Sequence, residues 1–217
     1  MMKNKSYIVV LVLFLLSSCS INKDIYWEEI GEKDRKKILC SSEISYKAKM
    51  VYQDKFILSD NETSEVLLNE LTSKIKNKKI TAFYFFLLNR ICASSDGAFA
   101  EMCDEYLYNY MESNVNYVLH YVKKNKNMLN LYADCISAGL DWRGLELIDY
   151  EKVISPKVSK TNRKTYKLLI SEVVKKRINM TTNGYHEAQG AGTIDGSGDG
   201  SQGSGDGSRS TGGQILF

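Results

Sequence analysis

The sequence predicts an all-α protein, either an irregular helical bundle or a short stack of helical hairpins, followed by a disordered C-terminal tail. Apolar residues recur at helical spacing almost throughout residues 60–178. Short polar breaks divide this stretch into successive helices, and the chain contains only one proline. Short connections favour antiparallel neighbouring helices, which is typical of bundles and hairpin stacks.

Four segments are predicted along the chain. Residues 1–18 form a signal peptide, 19–24 a tether, 25–182 the helical domain and 183–217 a Gly/Ser-rich tail. The domain is long enough to bury one hydrophobic core. The tail has the composition of a flexible coil, and the spacing of its Asp-Gly steps matches no calcium-binding repeat.

The first part of the domain is compatible with two local structures. Residues 44–52 alternate apolar and polar side chains as a strand would, but Ile44, Ala48 and Tyr52 also share one helical face. A lone strand would have no partner within easy reach, so we expect a helix here. The preceding residues 24–39 form a charged, amphipathic segment.

Two helices are expected next. Ser59 and Glu62 have the spacing of a capping box, which predicts a helix that begins there and ends near Lys79. The following helix, residues 80–93, is apolar on every side, so we expect it to lie at the centre of the domain.

Further helices follow, and local sequence signals mark where they begin or end. Asp96 is a good N-cap for a helix with the clearest amphipathic stripe in the chain. The stripe consists of Phe99, Met102, Cys103, Tyr106, Leu107 and Tyr110. Helices are then expected from Val115 and from Met128, the second of which ends at Gly139. The last helix is expected to end near Ile178.

The N-terminus has the organisation of a bacterial export signal. A basic start precedes an apolar stretch from Ile8 to Leu16. Nine residues make only about 14 Å of helix, too short to cross about 30 Å of hydrocarbon. The next residues complete the sequence Leu16-Ser17-Ser18-Cys19, which resembles the lipobox of bacterial lipoproteins.

This resemblance implies that Cys19 is lipidated on its thiol and becomes the first residue of the mature chain. Several acyl chains on one residue give a durable membrane anchor. Ser20 stands where an aspartate often marks retention in the inner membrane, so placement in the outer membrane is favoured. The alternatives are a plain secretory peptide, in which Cys19 is incidental, and a buried N-terminal helix.

Few residues offer catalytic chemistry. The only histidines are His120 in the domain and His186 in the tail, and no nucleophile, metal-binding or phosphate-binding motif is present. We therefore expect no metal, no cofactor and no assignable catalytic residue. Glu101 and Glu105 lie four residues apart on one helix face, so a paired-carboxylate hydrolase is one interpretation, and a solvated helix face is the other.

The cysteines beyond Cys19 are Cys40, Cys92, Cys103 and Cys135. Cys92 and Cys103 flank one turn between helices, where a disulfide would join two antiparallel helices. Cys103 also lies on an apolar stripe, where a free buried cysteine is equally common. Both interpretations stay open.

Tyrosine is unusually frequent, with 14 residues. Tyr108 and Tyr117 fall off the apolar stripes and could present an aromatic surface to a partner protein or a glycan. An AT-rich genome would explain the same enrichment without a functional role.

Together these features predict a lipid-anchored protein of the bacterial cell envelope that binds another envelope protein, as an adaptor, an assembly factor or an immunity protein. The formal net charge of +3 is too small to predict nucleic-acid binding. The competing hypothesis is an envelope hydrolase that uses carboxylates near Glu101 and Glu105.

Overall fold

The computed structural model describes the backbone of residues 24–190 and the side chains of residues 24–179. Within these residues the chain forms nine α-helices, three short 3₁₀ helices and no strand, which confirms the predicted all-α class. The α-helices are α1 (Glu32–Leu39), α2 (Tyr46–Tyr52), α3 (Glu62–Thr72), α4 (Lys78–Ser94), α5 (Gly97–Ser113), α6 (Val115–Lys124), α7 (Met128–Trp142), α8 (Leu147–Ile154) and α9 (Arg163–Gly190). The predicted signal peptide, Cys19 and the tail beyond residue 190 lie outside the described residues.

Helix α4 lies at the centre of the domain, as its apolar sequence predicts. Ten of its 17 residues are buried, and it packs against α3 and α5, which also contact each other. Asn77 begins the helix by accepting a hydrogen bond from the Lys79 amide at 3.1 Å. Phe86 is half-buried, so the helix is not enclosed on every side.

Helix α7 packs between α5 and α9. Gly139 does not end this helix, and that prediction is wrong. The glycine lies in the last turn, directly against the ring of Tyr108 on α5, where a side chain would not fit. The helix ends at Trp142. Gly144, two residues further on, adopts a positive φ of 59° that favours glycine.

The start and end of α3 also differ from the prediction. Asn61, not Ser59, caps the helix, because its side chain accepts a hydrogen bond from the Ser64 amide at 3.0 Å. The helix ends at Thr72, and an irregular connection follows before α4 begins at Lys78. Asn and Ser are both good N-caps, so the local sequence alone did not choose between them.

The segment before α1 is part of the core. Tyr26 and Trp27 are each only 2% exposed. The Tyr26 hydroxyl donates a hydrogen bond to the Tyr117 carbonyl at 2.9 Å, and the Tyr117 hydroxyl donates one to the Ile25 carbonyl at 2.7 Å. This reciprocal pair holds the N-terminal segment against α6.

The remaining predictions concern helix type and extent. Residues 46–52 are helical, as expected, and Ser45 caps them by accepting a hydrogen bond from the Ala48 amide. Helix α9 continues past Ile178 to Gly190, into the range predicted as tail. Among the described residues, no helix combines the length and the apolar character needed to cross a membrane.

Candidate interaction surface

Of the two tyrosines predicted to present an aromatic surface, one is buried and the other is half-buried. Tyr108 is 1% exposed, with the Arg143 guanidinium 4.4 Å from its ring centroid, so the prediction for Tyr108 is wrong. Tyr117 is half-buried and stacks on Tyr26, with ring centroids 4.8 Å apart. The prediction failed because α5 packs against α4 on one side and α7 on the other, and so buries more than one stripe.

The cysteines in the described residues are free thiols. Cys92 and Cys103 are both buried, and the Cys92 thiol lies 3.8 Å from the Cys103 carbonyl oxygen, to which it donates. Burial raises the pKa of the Cys92 thiol well above its usual value. The structure therefore has the free buried pair rather than the disulfide. Cys40 is exposed and Cys135 buried.

Glu101 and Glu105 share one exposed face of α5, as their spacing predicts. They line an open groove of about 580 Å³, together with Asp60 before α3 and Glu65 on α3. We call this feature the acidic groove. Its other lining residues are Asn69, Ala98, Met102, Tyr106, Asn109 and Trp142.

The charge of the acidic groove is one-sided. No lysine or arginine is among its lining residues. None of its four carboxylates forms an ion pair within the described part of the chain, whereas Asp141 and Asp134 on α7 pair with bases of α9. Burial raises the pKa of Tyr106, and the charges of Glu65 and Glu105 raise it further. The groove therefore carries four carboxylates, and a base on its border, Arg143, donates a hydrogen bond to the lining residue Asn109 at 2.5 Å.

Three large apolar side chains are exposed where the chain passes from α7 to α8, and one of them lines the groove. Trp142, which lines it, is 47% exposed, and Ile148 is 62% exposed. Leu145, at 37%, lies between them in the turn that joins α7 to α8. We call these three residues the apolar rim. These residues lie close together in the sequence, and clustered exposed apolar side chains are typical of interaction sites.

The sequence did not predict the apolar rim. Trp142 belongs to a stretch that was expected to follow the end of a helix at Gly139, and its exposure depends on the continuation of α7 to Trp142. Asp60 and Glu65 reach the groove only because α3 packs beside α5. The spacing of Glu101 and Glu105 was the one sequence pattern that indicated part of the groove.

The described residues contain no group of His, Cys, Asp and Glu side chains arranged to hold a metal ion. His120 is half-buried and stacks on the ring of Tyr26, with ring centroids 5.7 Å apart. No Ser or Cys nucleophile was found near it in the sequence. The structure therefore shows His120 as a packing residue against Tyr26.

No protein-family model, curated protein or solved structure matches this chain. The chemistry of its own surface and its N-terminal motif are therefore the basis for a functional proposal.

Proposed function

We propose that this protein is a lipoprotein of the bacterial cell envelope, anchored through lipid on Cys19, whose helical domain binds another envelope protein. The lipobox-like sequence ending at Cys19 supports the anchor, and Ser20 favours the outer membrane. An adaptor, an assembly factor or an immunity protein would each use such a module.

The observation that carries the binding proposal is the exposed Trp142 in the lining of a groove whose four carboxylates form no ion pair with the described residues. Tryptophan is among the residues that contribute most to protein interfaces. Carboxylates without internal partners attract and orient a positively charged partner. The partner therefore presents lysine or arginine residues to the acidic groove and an apolar side chain to the apolar rim.

One observation supports the alternative of a hydrolase, because Glu101 and Glu105 line the same groove. Both side chains are exposed. A carboxylic acid that donates a proton at neutral pH usually lies in an apolar pocket that raises its pKa. The open setting of both residues therefore favours binding over catalysis.

The binding proposal is tested by affinity capture from an envelope extract with two matched pairs of variants. Glu105→Lys reverses a charge in the acidic groove, and Glu43→Lys reverses an exposed charge before α2. Trp142→Ala removes the aromatic residue of the apolar rim, and Tyr46→Ala removes an aromatic residue that is 76% exposed elsewhere. We expect one captured protein to be lost with both groove-face variants and retained with both controls.

Capture that is the same with all four variants would contradict the proposal. The hydrolase is distinguished by Glu101→Gln and Glu105→Gln, which keep size and remove charge. A binding surface of four carboxylates predicts a graded loss of capture, whereas catalysis predicts that each single substitution abolishes turnover of an envelope substrate.

A further inference from the structure

A second charged surface lies on another part of the domain. Its six lysines are all exposed, and they come from α1, from the connection between α3 and α4, and from the first turn of α4. We call it the basic face, and it consists of Lys33, Lys37, Lys74, Lys76, Lys78 and Lys79.

Part of the basic face converges on one carboxylate. The Lys79 ammonium donates a hydrogen bond to Asp34 at 2.7 Å. This bond, together with the charges of Lys79, Lys37 and Lys33, holds the pKa of Asp34 below its usual range. Lys37 and Lys79 also line one small pocket with Asp34. Asp34 therefore lies among three lysines of the basic face and pairs directly with one of them, Lys79.

The other part of the basic face adjoins the start of the described chain. Lys76 and Lys78 line a pocket of about 340 Å³ together with Asp24 and Ile25. Asp24 follows Cys19 by five positions, over which an extended chain covers about 17 Å. A lipid on Cys19 would therefore place this end of the domain at the membrane surface.

We propose that the basic face binds the anionic head groups of the membrane that holds Cys19, and so fixes the orientation of the domain on that membrane. This inference depends on the proposed lipid anchor, because the anchor supplies the bilayer and the short distance to it. A lipid chain and a cluster of basic residues are complementary membrane signals, since each lysine near an anionic surface adds attraction. A lysine ammonium is a compact point charge on a flexible stem, which suits a fluid layer of head groups.

The test uses the chain from residue 20 to residue 217, which lacks the lipidated cysteine. This chain keeps the whole described core, which extends from Tyr26 to Val173. Its binding to vesicles of phosphatidylglycerol and phosphatidylcholine is compared with its binding to vesicles of phosphatidylcholine alone. The variant Lys37→Gln/Lys74→Gln/Lys76→Gln removes three charges of the basic face.

The matched control removes three exposed lysines elsewhere, Lys55→Gln/Lys164→Gln/Lys167→Gln. Lys55 follows Asp54, which pairs with Arg90 near the opposite end of α4, and the other two lie on α9. Both triple variants have the same net charge. Any difference between them therefore reports the position of the lysines.

We expect the chain to bind the anionic vesicles. Relative to the unmodified chain, the affinity should fall at least about tenfold in the basic-face variant and less than about threefold in the control. Equal losses in the two variants, equal binding to both kinds of vesicle, or no binding to anionic vesicles would each overturn the proposal. Fatty-acid labelling of Cys19 tests the anchor separately, and the capture experiment tests the groove, so failures of the three ideas are distinguishable.

Discussion

Gly139 allows α7 to lie directly against the ring of Tyr108. A Cβ atom added at Gly139 would lie 2.2 Å from Cδ2 of that ring. The ring has little freedom to move, because it is buried and the Arg143 guanidinium covers it at 4.4 Å. The absence of a side chain at Gly139 is therefore a packing requirement.

Gly139→Ala should lower the free energy of unfolding, because overpacking of a core usually costs about 1 to 3 kcal/mol. The higher helix propensity of alanine returns about 1 kcal/mol, so the net change should still be a loss. Urea unfolding measures the change. Gly31→Ala is the control, because no atom lies within 4 Å of its added Cβ. Equal stability of the two variants would contradict the proposed contact.

Phe85 is 1% exposed and contacts several aromatic rings at the centre of the domain. Its ring centroid lies 4.9 Å from those of Tyr117 and Tyr121. Phe85→Ala should therefore lower the free energy of unfolding by about 3 to 5 kcal/mol. The exposed Glu105→Ala, measured by the same denaturant melts, should change it by less than about 0.5 kcal/mol. A large effect at Glu105 would indicate a buried carboxylate and would support the hydrolase hypothesis.

At the scale of elements, the N-terminal segment and the end of α7 each contribute one of the two tryptophans of the chain. Trp27 is 2% exposed and its ring centroid lies 4.9 Å from that of Phe83 on α4. Trp142 is 47% exposed at the apolar rim. The first docks an element onto the core, and the second is available to a partner.

Trp27→Ala should lower the free energy of unfolding by about 3 to 5 kcal/mol, because it removes a buried aromatic contact between two elements. Trp142→Ala should cost less than about 1 kcal/mol and should leave the domain folded for the capture experiment. Thermal and denaturant unfolding of both proteins gives the comparison. The reverse order of stabilities would contradict the assigned roles of the two residues.

The sequence predicted the elements whose signals are local. The continuous apolar run of α4 and the position of Asp96 before α5 were enough to place those helices. The end of α7 was not predictable, because Gly139 satisfies a distant contact with Tyr108 rather than a local turn. Helix spacing alone cannot distinguish a terminating glycine from one that admits a neighbouring helix.

The candidate site was predictable to a smaller extent. The spacing of Glu101 and Glu105 correctly indicated a shared exposed face. Their meeting with Asp60 and Glu65 depends on the packing of α3 beside α5, which no local pattern encodes. Tyr108 was wrongly placed at the surface because the prediction assigned α5 a single buried stripe.

At the scale of the whole molecule, the buried tyrosines make the stability depend on alkaline pH. The tyrosines in the core are Tyr26, Tyr84, Tyr108, Tyr110, Tyr121, Tyr132, Tyr150 and Tyr166. Burial raises the pKa of Tyr108 and of Tyr166 to about 12. In the unfolded chain a tyrosine ionises near pH 10, so unfolding above about pH 10 releases protons that the folded protein retains.

Below about pH 10 the buried tyrosines should therefore cause no change in the free energy of unfolding with pH. Above it, the free energy of unfolding should fall as the pH rises through about 12. Urea unfolding across this range measures the fall, and tyrosinate absorbance should rise together with the loss of helical circular dichroism. Gradual ionisation of all tyrosines near pH 10 in a protein that stays folded would show that the rings are accessible to solvent.

The central claim is that Cys19 carries the lipid that places this domain at an envelope membrane, and metabolic labelling with a fatty-acid probe tests it most directly. The full chain should be labelled, and Cys19→Ala should be unlabelled and accumulate as a precursor, because neither the acceptor thiol nor the cleavage site remains. Cys40→Ala, which removes an exposed cysteine of the domain, should be labelled like the unmodified chain. Labelling that persists in Cys19→Ala, or that is absent from the unmodified chain, would contradict the claim.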